Sequence, residues 1–171
     1  IGLFRVFRSA EAVARSIGMI AVVAVGVAPV IAAVWGPDAA YWATPARAGE
    51  ILVGAALAAV FHLRGPWLAW SVWLAPIGLA VVVWAAVTWP AGSGPAYDGW
   101  FGVFALASAA LIAGLQHASP LRRLLSLRPM VWTGTISYGL YLYHWPIFTV
   151  LTEERVGASG AALFAVRLAV T

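Results

Sequence analysis

The chain has no cysteine, no lysine and little charge of any kind. Without thiols, disulfides and thiolate chemistry are excluded, while the compartment stays open. Charged residues make up 9% of the 171, against about 25% in an ordinary soluble domain. So few charges cannot cover a surface that faces water. Hydrophobic residues reach 63%, and a chain of that kind takes the bilayer as its solvent. All ten basic residues are arginine, and the formal net charge is +4. They stand at the ends of apolar runs, where arginine sets topology, so no nucleic-acid partner is expected.

Familiar catalytic signatures are missing as well. The chain carries no GxSxG, HExxH, kinase-type or glycine-rich phosphate motif. Its three histidines, His62, His117 and His144, are dispersed, so no metal site is expected. The first ten residues lack the arrangement of a signal peptide. The chain opens on Ile1 and its last apolar run is unfinished at Thr171, so residues 1–171 are read as one transmembrane domain cut from a longer protein.

What is present is a succession of apolar runs of roughly the 20 residues a bilayer requires. They cover Ile17 to Trp35, Arg47 to Leu63, Trp67 to Trp89, Trp100 to Leu115 and Met130 to Leu151, with a sixth starting near Ala161. Pro29 and Pro76 are expected inside the first and third, and Gly36 to Pro45 is expected as a polar connection. The fourth run is rich in small residues, as closely packed membrane helices are. The reading is an all-α, polytopic bundle of about six spans. Arginines cluster before the first span, between the second and third, and between the fourth and fifth. The alternate connections hold Asp38, Asp98 and Glu153–Glu154, with Arg155 the discordant charge. By the positive-inside rule the Arg122–Arg128 segment is cytoplasmic and the Asp98 loop lies outside. Trp35, Trp67, Trp89 and Trp100, at span ends, fit an interfacial aromatic belt.

Two places carry candidate chemistry. Arg47 and Glu50 are three apart at the start of the second span and share a helix face. Either they form a pair that makes the helix end tolerable, or Glu50 lines a cavity and orients or deprotonates an acceptor hydroxyl. The second place is Trp132 to Phe148, WTGTISYGLYLYHWPIF. At about 100° per residue, Ser137, Tyr138, Tyr141, His144 and Trp145 fall on one face. A polar face within a span turns toward protein or a water-filled cavity. Pro146 cannot donate to the Leu142 carbonyl, so a kink and a freed acceptor are expected beside His144. His144 can serve as a proton acceptor or as a hydrogen-bonded structural residue. His62 and His117 are explained by interfacial placement. Arg122, Arg123 and Arg128 are topology determinants that can meet anionic headgroups.

ISYGLYLYHWPIF (Ile136 to Phe148) resembles the signature segment of acyltransferase family 3, integral-membrane O-acyltransferases that acetylate bacterial cell-surface polysaccharides. YWATPARAGEILVGAALA (Tyr41 to Ala58) resembles a second segment of that family. The resemblance implies a bundle of about ten spans, of which this chain holds the later half. It implies a multi-pass protein of the bacterial cytoplasmic membrane that takes an acyl group, usually acetyl, from cytoplasmic acyl-CoA. The acceptor would be a hydroxyl of an extracytoplasmic glycan or lipid-linked sugar. No bound cofactor is implied; acyl-CoA is a cosubstrate.

By the same resemblance Arg47 and Glu50 carry over from one segment, and Ser137, Tyr138, Tyr141, His144, Trp145 and Pro146 from the other. Glu50 and His144 are then the catalytic candidates, and Arg47, Ser137, Tyr138, Tyr141 and Trp145 the substrate-binding ones. The family's main base is a histidine in its first span, about three turns after an arginine, and both are expected upstream of this chain. Gly49 stands where the family commonly has an aromatic, so the packing beside Glu50 is expected to differ. Composition and periodicity alone equally admit a transporter or channel fragment or a membrane scaffold; the two segments favour the enzyme.

Overall fold

The computed structural model describes residues 9–64, 69–90 and 92–171. Arg5, Arg8, the expected break at Gly65–Pro66 and the belt residue Trp67 lie outside the described residues. Among the described residues the fold is all-α, without strands. The chain divides into two compact units, Ile1–Arg122 and Arg123–Thr171.

In the first unit α1 (Ala10–Trp35) starts earlier than the apolar pattern indicates. Ser9 caps it, accepting from the Ala12 N–H at 3.2 Å, and Glu11 sits in the first turn, where a negative charge favours the helix. Hydropathy marks where lipid begins, while capping marks where the helix begins. The expected polar connection is mostly helical. It contains α2 (Pro37–Trp42), opened by a proline in the position that lacks a hydrogen-bonding duty, and α3 (Thr44–Arg64) follows. A 3₁₀ turn (Ala69–Trp73) leads into α4 (Leu74–Thr88). Pro76 therefore falls in the first turn of α4, where no intrahelical N–H is required, and not in a helix interior. Pro29 does lie inside α1.

α5 (Phe101–Gly114) completes the bundle of this unit. α1 packs chiefly on α3 and α4 on α5, and α3 against α5 joins the two pairs. The buried layer consists mainly of small residues: Ala21, Ala24 and Ala28 on α1, Ala46 and Val53 on α3, and Ala75, Ala105 and Ala113 across α4 and α5. Lipid removes the hydrophobic drive between helices, so close backbone approach and dispersion hold them together. Gly78 shows how close: an added Cβ would strike the Ala107 carbonyl oxygen and the Leu111 backbone. Large apolar residues such as Ile20, Val23, Ile51 and Val87 instead point outward and are exposed.

α1, α3 and the run Ser71–Thr88 are long and apolar enough to cross a membrane, and α5 is a shorter apolar helix. The loop from Pro90 to Trp100 is tied down at Gly99, whose φ of +85° and lack of a Cβ let it sit on Ala28 and Pro29 of α1.

α6 (Pro120–Leu125) carries Arg122 and Arg123 at the division between the units. The second unit contains α7 (Arg128–Val150), the short α8 (Glu153–Val156) and α9 (Gly160–Val170). α7 is one uninterrupted helix with Pro146 inside it. At 23 residues it has the length of a span, but with its tyrosines, histidine and hydroxyls it is not among the three helices apolar enough to cross a membrane. α9 packs on α7 through Phe164 against Phe148, edge to face at 6.2 Å, and Leu163 is buried. Arg167 fastens the pair: its Nε–H donates to the Leu151 carbonyl at 2.9 Å and its guanidinium lies 5.0 Å from the Phe148 ring centre.

Candidate functional site

The expected Arg47–Glu50 pair forms in the first turns of α3, with Nη1 3.2 Å from Oε1. The two side chains meet because three residues advance a helix by nearly one turn. The contact is an ion pair without hydrogen-bond alignment, so these two buried atoms keep unused hydrogen-bonding capacity. The Arg47 guanidinium also lies over the Phe101 ring, 4.2 Å from its centre, and 5.6 Å from that of Tyr41. Tyr41 stacks on Tyr97 at 4.2 Å, with ring planes 10° apart. Trp89 approaches Phe101 and Phe104, both at 6.4 Å. These rings border a cavity of about 390 Å³ at the Asp98-loop end of the unit.

Gly49, beside Glu50, explains how α3 reaches this position. It is buried against the backbone of Ala24 and Val25, and a Cβ there would come 3.0 Å from the Val25 nitrogen. An aromatic at that position could not fit while α1 and α3 keep this separation. The expected difference in packing is thus a close helix–helix contact.

At the other end of the same unit, Ser71 is completely buried and shares a 2.8 Å hydrogen bond with His117 Nε2. This pair links the 3₁₀ turn to the chain just after α5. Sequence reading assigned His117 to the interface. The partners are 46 residues apart, and no local pattern announces them.

The second cluster lies in the other unit. His144 Nδ1 is 2.6 Å from the Tyr141 carbonyl oxygen. A carbonyl can only accept, so Nδ1 carries the proton and donates. In the neutral ring Nε2 is then the basic nitrogen. Tyr141, His144 and Phe148 border a groove of about 310 Å³ between α7 and α9. The His144 ring lies 5.7 Å from Tyr141 and 6.1 Å from Phe148. Of the expected face, Tyr141 and His144 border this groove and Tyr138 and Trp145 do not, although Tyr138, Tyr141 and Trp145 are equally exposed, at about 70%. Ser137 turns back on its own helix, its hydroxyl donating to the Gly134 carbonyl at 2.7 Å. The acceptor that His144 uses is the Tyr141 carbonyl of its own helix.

Trp89, Tyr97, Phe101 and Phe104 were not among the candidate site residues of the sequence. Trp89 was read as part of the interfacial belt, yet its indole Nε1 is buried and has no hydrogen-bond partner among the described residues. Trp35 and Trp100 are exposed, as belt residues should be. The available signal was Tyr97 in a short glycine- and proline-rich loop just before an aromatic i, i+3 pair, Phe101 and Phe104. Among the described residues no cluster of side chains could hold a metal ion.

Membrane-length apolar helices packed through alanine and glycine, with an ion pair set into one of them, define a helical membrane protein. The chain belongs to the acyltransferase domain family, whose model matches residues 3–158. It is 42% identical over 57 residues to the peptidoglycan O-acetyltransferase OatA of Listeria monocytogenes, a match covering 33% of this chain and 9% of that protein. It is 33% identical over 128 residues to the putative peptidoglycan O-acetyltransferase YrhL of Bacillus subtilis, covering 70% of this chain and 20% of that protein. The chain therefore spans a fifth or less of the length of these relatives. No solved structure matches it.

Proposed function

We propose that this chain is part of a membrane O-acyltransferase that moves an acyl group, acetyl in the first instance, from cytoplasmic acyl-CoA to a hydroxyl of a cell-envelope glycan. The observation that carries this reading is the Arg47–Glu50 pair. It sits within a family-matching segment of a membrane-length helix, with both side chains still partly exposed. The names of the two relatives make peptidoglycan the first acceptor to test. The bacterial cytoplasmic membrane is the setting that reading requires.

A thioester is already activated, so catalysis consists of positioning and proton removal. The acceptor oxygen attacks the thioester carbonyl carbon, a C–O bond forms, and the C–S bond breaks. The hydroxyl proton passes to a base and finally to the departing thiolate. In this reading Glu50 and Arg47 orient the acceptor, and the Tyr141–His144 groove lines the acyl path. The principal base is supplied by the histidine that the family resemblance places outside this chain.

The test is to incubate membranes containing the intact protein with labelled acetyl-CoA and unacetylated peptidoglycan. Base-labile label on the glycan is the expected result. Solute flux without transferred label would overturn the reading in favour of a transporter.

A further inference from the structure

An apolar groove of about 410 Å³ runs along the seam between α1 and α3, with Leu106 and Ala109 of α5 also lining it. Its α1 side consists of Gly18, Ala21, Val22 and Val25, and α3 repeats the same i, i+3, i+4, i+7 spacing from Val53 to Val60. The spacing does not stop where the apolar section does. It continues into Glu11, Ala14 and Arg15 on α1 and into Leu63 and Arg64 on α3. These residues border a second cavity, of about 420 Å³, which shares Val60 with the first. The two cavities are thus one stripe, apolar along its length and charged at its mouth. We propose that it binds one anionic glycerophospholipid, with the phosphate at Arg15 and Arg64 and an acyl chain along the seam. This goes beyond the transferase reading and does not depend on it.

Length commits the groove to a lipid chain. From Arg15 to Val25 is about 15 Å along α1 and from Arg64 to Val53 about 16 Å along α3, at about 1.5 Å per residue. That is half of a hydrocarbon core of about 30 Å, so the stripe spans one leaflet. Beyond it the seam is shut. Gly49 packs on the backbone of Ala24 and Val25, and Gly102 on the Val25 side chain. Toward the mouth, in contrast, a Cβ added at Gly18 meets nothing within 4 Å. A further membrane-spanning helix would need a groove through both leaflets.

Charge selects the headgroup. A lipid chain in the bilayer is already in an apolar solvent, so the groove by itself favours no lipid over another. Arg15 and Arg64 are exposed, line the mouth and form no ion pair among the described residues. Arg15 Nε–H donates to the Glu11 carbonyl at 3.4 Å, which holds that side chain beside its own helix. The Glu11 carboxylate lines the mouth as well, leaving one net positive charge among these three groups. A zwitterionic headgroup gains less from it than an anionic one.

The experiment titrates the intact protein in detergent micelles with radiolabelled phosphatidylglycerol, and with phosphatidylcholine carrying the same chains. Saturable binding is expected, about fivefold tighter for phosphatidylglycerol, the effect of one positive charge near a membrane surface. Arg15→Gln and Arg64→Gln should each remove that preference. Gly18→Phe fills the open part of the groove and should abolish saturable binding of both lipids. Gly54→Phe adds the same bulk on α3 outside the groove, where nothing lies within 4 Å, and should change neither. Unfolding midpoints identify any variant that fails to fold, and the exposed arginine variants then decide.

Equal binding of the two lipids by the parental protein would overturn the proposal, as would unchanged binding in a folded Gly18→Phe protein. Displacement of the lipid by millimolar inorganic phosphate would reduce the site to a headgroup contact and overturn the role of the chain. Displacement by palmitoyl-CoA at equal concentration would overturn it in favour of an acyl-donor site.

Discussion

The Arg47 guanidinium lies 4.2 Å from the centre of the Phe101 ring while its Nη1 stands 3.2 Å from Glu50. A planar cation can do both at once, stacking through its face and pairing through its edge. The arrangement joins α3 to α5 and holds the carboxylate next to the aromatic cavity.

Replacing either partner should therefore be visible in transfer and not in membrane abundance. Glu50→Gln keeps the shape and removes the charge; transfer is expected to fall by about a hundredfold or more if the carboxylate assists proton removal. Arg47→Lys keeps the charge and loses the planar face, and a loss of roughly tenfold is expected. Label incorporation, normalised to immunoblotted protein in the membrane, reads both. Undiminished transfer in Glu50→Gln would leave the pair with a purely structural task.

Gly49 should tolerate very little. Gly49→Ala places a carbon against the Val25 backbone, and overpacking of this kind costs about 1–3 kcal/mol. Gly54→Ala is the internal control, because on the same helix nothing lies within 4 Å of the new carbon. Alanine there should be neutral or stabilising by up to about 1 kcal/mol through helix propensity. Thermal unfolding of the detergent-solubilised protein compares the two, and equal midpoints would contradict the close helix contact.

His144 separates chemistry from packing when exchanged for phenylalanine. His144→Phe keeps an aromatic beside Phe148 but removes the basic nitrogen. Transfer is expected to drop by about a hundredfold, within the range that acid–base groups contribute, with the protein still in the membrane. Full glycan acetylation in cells carrying this variant would restrict His144 to a structural role.

Ser71→Ala tests the buried link at the opposite end of the first unit. The substitution leaves His117 without its 2.8 Å partner and is expected to cost about 1 kcal/mol of stability. Transfer by the folded protein should be unchanged. A loss of transfer at an unchanged unfolding midpoint would assign the pair to the reaction.

Legibility in the sequence followed the range of each interaction. Arg47–Glu50 and Tyr141–His144 are each three residues apart, so helical geometry brings them together before any tertiary contact exists. The apolar runs likewise fall in the helices, because a lipid environment requires every buried backbone group to be paired within its own segment. The start of α1 was displaced because Ser9 and Glu11 set it, and hydropathy does not record caps. Pro76 was read as internal since a 3₁₀ turn and an α-helix share one apolar run. Ser71–His117 and the Trp89 cavity could not be read at all. Each depends on which helix faces which, and alanine-rich faces carry almost no pattern to encode that choice.

The small-residue layer also decides what mutational scanning can reveal about this protein. Alanine scanning detects a core by deleting side chains, and here Ala21, Ala24, Ala28, Ala75, Ala105 and Ala113 have nothing to delete. Such a scan would pass silently through the helix contacts and respond only at the rings and charges around them. Scanning by enlargement, with leucine in place of alanine or glycine, would trace the same contacts in reverse, each intolerant position reporting where two backbones nearly touch.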